Sequence, residues 1–576
     1  MRQIQGLAAS RGIALGPAWR LDPPLPACPR RNVEDPAAEW ERAQAVLEVA
    51  RQQLAELVAR ARELAGEEHA AIFQAQALML EDPALLEAAR AAIEIGRLNA
   101  EAALLDAAEA QAQQLEALED EYLRARAADV RDVAQRLLRI LTGCTEPNLA
   151  CGEAPVVLVA TDLSPSELIT LDRRKLLGVC TAEGGPTSHT AILARGLGLP
   201  AVVGAGPAVL EISDATPVVL DGSAGLLIVE PDAETLAAYR ERRAMAARLA
   251  GQARVRAHAP AIDRDGQCVP VLANVGDLAS AQAALEAGAD GAGLVRTEFL
   301  YLGRSSLPSE EEQFTAYRAL ADLFGTLPVV LRTLDIGADK RLAGLDQPLE
   351  PNPALGLRGI RLALARPALL KTQLRAALRA WAGRSLRVMF PLVATIGEVR
   401  AARAILEACR TEMEAGGVAL PERVEVGIMV ETPAAALLAG RLAREVDFMS
   451  IGTNDLAQYT AAADRGLASV AALASGLHPA VLRLIQWTIE AAHVAGRRVG
   501  LCGELGAQPL AIPVLVGLGL DELSVNPPAV PLVKELIRAL SRREAEALAR
   551  EALEEEGAEA VERLVRARVP AAVDLL

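Results

Sequence analysis

The sequence predicts a multidomain α/β protein, in which a helical bundle is inserted into a compact α/β domain and a C-terminal TIM (β/α)8 barrel follows. Its 576 residues exceed what one ordinary core accommodates. A long Ala- and Leu-rich segment has the period of helices, and strand-like and helix-like runs alternate after it. We assign residues 1–20 and 145–230 to the α/β domain, 21–144 to the bundle, 231–260 to a linker helix and 261–576 to the barrel.

The bundle is predicted from apolar residues at three- and four-residue steps between about residues 36 and 142, as in AVLEVARQQLAELVARARELA. Such a bundle can be purely structural, or its surface can bind a partner, and this segment alone leaves both interpretations open. Helix-breaking residues divide it into antiparallel helices, at Gly66, Asp82-Pro83, Gly96 and Glu119-Asp120.

The α/β domain is predicted from short β-like runs after residue 154, such as APVVLVA, LLGVC and TPVVLDG, separated by Gly, Pro and Ser clusters. The opening stretch GLAASRGIALGPAWRL is typical of strands that return to this domain. The bundle is therefore an insertion. Residues 231–257 predict a charged connecting helix that can act as a hinge.

The barrel is predicted from eight apolar runs that alternate with helical patterns, since barrel strands are buried on both faces. The runs and their first residues are VPVLANV (269), GAGLV (291), PVVLRTL (328), LRVMFPLV (386), VEVGIMV (424), DFMSIG (447), RRVGLCG (497) and DELSVNP (521).

Composition excludes several classes of protein. The formal net charge of −16 argues against broad nucleic-acid or anionic-membrane binding, although it can attract a basic partner. Seven scattered cysteines without C-x-x-C spacing indicate reduced thiols rather than a disulfide framework or a zinc site. The first residues lack an apolar signal core, and no apolar run is long enough to span a membrane. We expect a cytoplasmic protein without membrane insertion.

Polar residues follow the predicted strands where the mouth of a barrel forms its active site. They are Arg296 and Glu298 after strand two, Arg332, Asp335 and Lys340 at and after strand three, Glu431 after strand five, Asn454, Asp455, Asp464 and Arg465 after strand six, and Cys502 and Glu504 at strand seven.

These residue types suit one kind of chemistry. Arginines grip carboxylates and phosphates through paired hydrogen bonds, which indicates a small anionic substrate. Glu431 and Asp455 are oxygen ligands of the kind that hold Mg²⁺ together with substrate phosphate, and the Cys502 thiol can transfer a proton. Taken singly, each has an ordinary structural explanation, as a solvated arginine, a core cysteine or a turn. Their common placement at one mouth favours a functional site.

The stretch GGPTSHTAILARGLGLPAVVG places His189 in the first turn of a predicted helix, behind N-cap candidates. The positive end of the helix dipole disfavours imidazolium, which leaves a neutral, nucleophilic ring, and the free N–H groups there can receive a phosphoryl group. A lone histidine is more often a packed or capping residue, and no second His or Cys at ligand spacing supports a metal role.

With these motifs in place, the chain resembles, essentially end to end, the enzyme I family of the bacterial sugar phosphotransferase system, the phosphoenolpyruvate-protein phosphotransferases. The stretches that carry the resemblance are GGPTSHTAILAR (184–195), GAGLVRTEFLYLGR (291–304), RTLDIGADK (332–340), NPALGLRGIR (352–361), MFPLVATIGEVR (389–400), VGIMVETPAA (426–435), SIGTNDLAQYTAAADR (450–465) and LCGELGAQP (501–509).

The resemblance implies phosphoryl transfer from phosphoenolpyruvate (PEP) to His189 and then to the carrier protein HPr, with pyruvate released. It implies that Cys502 donates the proton to the enolate carbon, that the bundle docks HPr, and that the barrel forms a homodimer. It also implies two sets of ligands, which are Arg296, Arg332, Asn454, Asp455 and Arg465 for PEP, and Glu431 and Asp455 for Mg²⁺.

The sequence departs from the family pattern at three positions. Pro186 stands where arginine is common, so a phosphate contact from that side chain is not expected. Ala338 replaces a usual glycine, and Leu467 a common asparagine.

Two rival interpretations remain. A pyruvate phosphate dikinase or PEP synthase needs an ATP-binding domain, and no Gly-rich phosphate loop precedes residue 184. A regulatory, non-catalytic relative would not be expected to keep every catalytic residue.

Since His189 and the PEP site are assigned to different domains, we expect a swivel between them. A crosslink that pins the histidine domain to the bundle should therefore abolish autophosphorylation.

Overall fold

The computed structural model describes residues 1–21, 28, 30–65, 67–117, 121–143, 155–163, 171, 173–185, 188–302, 304, 306–337, 342, 350–465, 467 and 470–569. These residues form two compact units, Met1–Arg243 and Ala244–Leu576.

The first unit contains an eight-stranded mixed sheet with the order β1-β8-β7-β3-β4-β5-β6-β2. Strand β3 pairs in parallel with β4 and antiparallel with β7, so strands on both sides of the bundle in the sequence share one sheet. The inserted position of the bundle is confirmed. The strands are β1 Arg2–Gln5, β2 Leu7–Ser10, β3 Ile13–Leu21, β4 Val156–Ala160, β5 Leu176–Thr181, β6 Ala201–Val203, β7 Pro217–Asp221 and β8 Leu226–Val229.

The bundle consists of α1 Pro36–Ala65, α2 Glu67–Met79, α3 Pro83–Glu94, α4 Ala100–Glu116 and α5 Glu121–Thr142. The predicted break at Asp82-Pro83 is confirmed, because Asp82 is the N-cap of α3 and accepts the Ala84 N–H at 2.9 Å. The break near Gly96 is confirmed between α3 and α4. Gly66 and Glu119-Asp120 lie outside the described residues.

Among the residues that the structure describes between the bundle and the barrel, two α-helices are present, α6 His189–Leu197 and α7 Ala233–Val255. The predicted charged helix over 231–257 is present as α7, and the boundary between the two compact units falls within it.

The second unit contains a closed barrel of eight parallel strands, in which the first strand pairs with the second and with the last. All eight predicted strands are confirmed. They are β9 Val271–Val275, β10 Ala292–Val295, β11 Val329–Arg332, β12 Ser385–Phe390, β13 Arg423–Val430, β14 Phe448–Ile451, β15 Arg498–Leu501 and β16 Glu522–Val525.

Helices surround the barrel and bury its apolar strands. They are α8 Leu278–Glu286, α9 Glu310–Phe324, α10 Gly359–Ala365, α11 Pro367–Ala380, α12 Ile396–Ala415, α13 Pro433–Leu437, α14 Ala439–Leu442, α15 Thr453–Ala461, α16 Pro479–Val494, α17 Ile512–Gly517, α18 Val530–Ala539, α19 Arg542–Ala552 and α20 Ala558–Arg568.

Because the strands are parallel, all their carboxyl ends open on one face, and the loops that follow them form its rim. Among the helices that the structure describes, none has both the length and the apolar character needed to cross a membrane.

Candidate active site at the mouth of the barrel

Arg332 ends β11 and is held by two carboxylates. Its Nη2 lies 3.1 Å from Glu298 Oε1, and its Nη1 lies 3.2 Å from Asp335 Oδ2. The Arg332 side chain is 12% exposed. Burial works against its charge, but Glu298 and Asp335 outweigh burial and raise the pKa of Arg332 above its usual value. The mouth therefore contains a fixed buried cation.

Arg358 also lies at the mouth, although sequence reasoning did not select it. Its Nη2 lies 2.9 Å from Asp335 Oδ2 and 3.1 Å from Asp455 Oδ2. Its Nη1 donates to the Tyr459 hydroxyl at 3.3 Å. Arg358 precedes helix α10 and does not follow a strand. The expectation that site residues directly follow the barrel strands therefore did not identify it. The only sequence signal was its place in the NPALGLRGIR stretch.

Three carboxylates converge beside these arginines. Asp335, Glu431 and Asp455 each offer an oxygen within 4.8 Å of the others. Burial, followed by the negative charges of Asp335 and Asp455, raises the pKa of Glu431 to about 8. Burial also favours the neutral form of Asp335, but Arg332 and Arg358 outweigh it and lower the pKa of Asp335. The sequence predicted all three carboxylates at the mouth but only Glu431 and Asp455 as metal ligands, and the structure brings Asp335 into the same cluster.

The carboxylate cluster fits a hard divalent cation. Asp455 Oδ1 is buried and has no hydrogen-bond donor among the described residues. Arg465 Nη2 lies 3.4 Å from this oxygen, close enough for charge attraction but without hydrogen-bond alignment. A buried carboxylate oxygen with a free lone pair, next to two further carboxylates, is a favourable ligand for such an ion.

The loop after β12 is strained where it meets Glu431. Leu392 has φ 56°, a left-handed conformation that is unfavourable for a bulky side chain. Its backbone N–H donates to Glu431 Oε1 at 2.5 Å. The strained peptide therefore orients one oxygen of the buried carboxylate.

Cys502 follows β15 and is 3% exposed. It packs with the apolar side chains of Leu294, Val330, Met389 and Met429 in the barrel interior. Burial raises the pKa of the Cys502 thiol to about 11, against the opposing effects of a hydrogen bond with Ser450 and the charge of Arg332. The thiol therefore keeps its proton at neutral pH.

Three further predicted residues, Asn454, Arg465 and Arg296, lie on the same rim. Asn454 Oδ1 accepts the Glu504 N–H at 3.0 Å, which ties the loop after β14 to the loop after β15. Arg465 donates its backbone N–H to Gln458 Oε1 at 3.2 Å. Arg296 is exposed directly after β10. Lys340 and Ala338 lie outside the described residues.

Helix α6 of the first unit begins at His189, as the sequence predicted. Ser188 is its N-cap, with an Oγ that accepts the Ala191 N–H at 3.3 Å. Thr190 is buried and donates its hydroxyl to the Leu163 carbonyl at 2.8 Å. The imidazole of His189, and Pro186 and Thr187 before it, lie outside what the structure describes.

Comparison with known families assigns three consecutive parts of the chain. Residues 5–126 match the N-terminal domain of PEP-utilising enzymes, 152–225 their mobile domain and 250–542 their PEP-binding domain. The last match alone covers half of the chain.

Individual relatives match nearly the whole length. The phosphoenolpyruvate-protein phosphotransferase of Geobacillus stearothermophilus is 44% identical over 544 residues, 94% of each chain. Its namesake in Bacillus subtilis (strain 168) is 42% identical, over 95% of this chain and 96% of the relative. A multiphosphoryl transfer protein of Rhodobacter capsulatus is 43% identical, over 96% of this chain and 66% of the relative.

A solution NMR structure of Enzyme I is also similar. It is 35% identical and aligns with 42% of this chain and 98% of its own, with a TM-score of 0.37.

Proposed function

We propose that this chain transfers the phosphoryl group of PEP to His189 and then to HPr, because it belongs to the phosphoenolpyruvate-protein phosphotransferases of the PEP-utilising enzyme family. This reaction is the first step of the sugar phosphotransferase system. The observation that carries the proposal is the cluster of arginines and buried carboxylates at the barrel mouth, in a chain that also begins a capped helix at His189.

The arginines bind the substrate in this proposal. PEP carries a phosphate and a carboxylate, and guanidinium groups match both through paired hydrogen bonds. Arg332 is buried and fixed between Glu298 and Asp335, so it neutralises phosphoryl charge without reorganising. Arg296 and Arg465, with Asn454 and Asp455, complete the set of PEP ligands.

Mg²⁺ is the proposed cofactor. Glu431 and Asp455 would hold it, and the third carboxylate of the cluster, Asp335, lies beside them. When bound, Mg²⁺ stabilises the negative charge that develops on the enolate oxygen. Ionised Glu431 is the form that can act as a ligand, so its raised pKa makes metal binding depend on pH.

Proton transfer is assigned to Cys502. Attack of the His189 ring nitrogen on phosphorus breaks the bond to the bridging oxygen and leaves pyruvate enolate. The Cys502 S–H then gives its proton to C3 of the enolate, which forms the methyl group of pyruvate. A thiol that stays protonated at neutral pH suits this role because the proton is present when the enolate forms.

Three further proposals concern partners and location. The helical bundle would dock HPr, the barrel would form the homodimer, and the protein would act in the cytoplasm. Membership of the family supports the first two, and the scattered cysteines without disulfide spacing support the third.

Incubation of the protein with labelled PEP and Mg²⁺ tests the proposal. We expect an acid-labile, base-stable label on the wild-type chain and none on His189→Ala. Transfer of the label to added HPr tests the second step. Absence of label from the wild type, or full labelling of His189→Ala, would contradict the proposal and favour a non-catalytic sensor.

A further inference from the structure

A chain of buried polar side chains lies behind two loops of the barrel mouth, and Gln373 is at its centre. Gln373 belongs to α11 and is 1% exposed. Its Nε2 donates to Thr297 Oγ1 at 3.1 Å and to the Tyr317 hydroxyl at 3.0 Å. Its Oε1 accepts the Leu334 N–H at 2.9 Å. Because a backbone N–H can only donate, this contact fixes the orientation of the carboxamide.

Two of these three contacts fall within loops that carry site residues. Thr297 stands between Arg296 and Glu298, and Leu334 stands between Arg332 and Asp335. The Thr297 hydroxyl, which accepts from Gln373, donates its own hydrogen to the Arg332 carbonyl at 3.1 Å.

A second hydrogen bond joins the same loops. The Asp335 N–H donates to Glu298 Oε1 at 2.9 Å. The loops after β10 and β11 are thus bonded both to each other and to Gln373.

We infer that Gln373 is a positioning residue, which sets the spacing of the two loops and so aligns Arg296 and Arg332 with the phosphoryl group of the substrate. This inference rests on the proposed function. Gln373 acts through Thr297 and Leu334, and only a carboxamide supplies two donors and an acceptor at that place. A displacement of the arginines by about 1 Å is enough to slow a reaction by about a hundredfold.

Gln313 provides a matched control. It lies on α9, is fully buried, and has the same side chain. Its Oε1 accepts from the hydroxyls of Tyr301 at 3.1 Å and Tyr317 at 3.3 Å, and its Nε2 donates to the Pro308 carbonyl at 3.2 Å. Tyr301 and Pro308 belong to the loop after β10, but all three partners lie outside the segments 296–298 and 332–335, so replacing Gln313 damages the same network without removing a bond to either segment.

The test measures steady-state rates of phosphoryl transfer from PEP to excess HPr over a series of PEP concentrations, together with Tm, for the wild type, Gln373→Met and Gln313→Met. Both variants should have a lower Tm. Only Gln373→Met should have a raised KM for PEP and a kcat/KM reduced by about tenfold to a hundredfold. A purely structural defect reduces the amount of folded enzyme, which lowers the maximal rate and leaves KM unchanged.

An unchanged KM in Gln373→Met, or an equal rise in Gln313→Met, would overturn the inference. Absence of labelling in the wild type would instead contradict the proposed function, and direct measurement of the Kd for PEP in the same variants would then decide the inference on its own. If Gln373→Met does not fold, the near-isosteric Thr297→Val removes the same link and should raise KM similarly.

A double variant tests the route of action. If Gln373 acts through Thr297, Gln373→Met combined with Thr297→Val should reduce kcat/KM by much less than the product of the two single effects. Effects that multiply would show that the two residues act independently and would overturn this route.

Discussion

At the scale of single residues, the barrel mouth depends on how each buried charge is balanced. Asp335 faces Arg332 and Arg358, whereas Glu431 is buried beside the negative charges of Asp335 and Asp455. Two carboxylates of one cluster therefore have pKa values displaced in opposite directions. Such a separation is typical of sites where a group must change its charge during function.

Without divalent cations, we expect the barrel to lose stability as pH rises from 4.5, the ordinary pKa of Glu431, to about 8, its raised value in the fold. Across this interval the unfolded chain releases the proton while the folded chain keeps it. The unfolded state then binds fewer protons, so the free energy of unfolding falls with increasing pH. Thermal unfolding in EDTA between pH 5 and pH 8, compared with Glu431→Gln, measures the effect. Equal pH slopes for both proteins would contradict it.

Arg358→Met should be both less stable and less active. The substitution removes the guanidinium group that lies within hydrogen-bond distance of both Asp335 and Asp455. Removing one partner of a buried ion pair costs about 3–5 kcal/mol, and kcat/KM for PEP should fall about tenfold or more as the carboxylates move. Denaturant unfolding and labelling rates measure the two effects.

Arg361→Met is the control for this change. Arg361 lies on α10, the helix that Arg358 precedes, and donates to the carbonyls of Leu355 at 2.9 Å and Gly356 at 3.2 Å. Its replacement should leave kcat/KM within about twofold of the wild type, because surface changes away from a buried network have small effects. A comparable loss in both variants would mean that the loop, rather than the Arg358 charge, matters.

Sequence reasoning found the site residues that follow strands and missed those that do not. Arg332, Glu431, Asp455 and Cys502 stand at or directly after apolar runs, so the barrel pattern alone places them at the mouth. Arg358 precedes a helix, and its distance from Asp455 depends on how that helix packs. Nothing in the local sequence reports such a long-range contact.

At the scale of elements, the carboxyl ends of β14 and β15 pack so closely that one position requires glycine. A Cβ on Gly503 would lie 1.9 Å from Thr453 Oγ1 and 2.6 Å from the Thr453 backbone nitrogen. Thr453 begins helix α15, which carries Asn454 and Asp455. The close approach of the two loops therefore sets where these two side chains stand.

Gly503→Ala should displace the start of α15 and reduce both Tm and kcat/KM for PEP. Overpacking of this kind typically costs about 1–3 kcal/mol. Gly397→Ala is the control, because its Cβ would meet only Thr395 Oγ1, at 3.9 Å, within helix α12. Alanine there should stabilise the helix by up to about 1 kcal/mol. Calorimetry and labelling rates distinguish the two, and an unaltered Gly503→Ala enzyme would contradict the packing argument.

The eight strands were predictable because both faces of each are buried, and burial of both faces requires an uninterrupted run of apolar residues in the sequence. The bundle breaks at Asp82-Pro83 and near Gly96 were predictable from local capping chemistry. By contrast, the role inferred for Gln373 depends on a helix packed behind the site. A glutamine within a helical sequence pattern does not indicate which residues its side chain hydrogen-bonds.

At the scale of the whole molecule, the described apolar core divides between the two compact units. One set of buried clusters draws its residues from the first unit, and another set draws them from the barrel unit. Separate cores allow separate cooperative unfolding, since each core is lost as a unit.

We expect two calorimetric transitions, of which Lys534→Met shifts only one. Lys534 is fully buried on α18, and its Nζ donates to the Gly288 carbonyl at 2.6 Å and to Asp290 Oδ1 at 2.7 Å. Its removal leaves Asp290 without this partner and should cost the barrel about 3–5 kcal/mol. A single transition, or a shift of both, would show that the units unfold together.

Closure of the barrel has a consequence for how the chain is made. Strand β9, near residue 271, completes its pairing with β16, which ends at Val525. A ribosome must therefore synthesise nearly the whole barrel region before β9 can pair with β16. Until then β9 exposes an unpaired edge, so the nascent chain passes through a long period in which it depends on protection from aggregation.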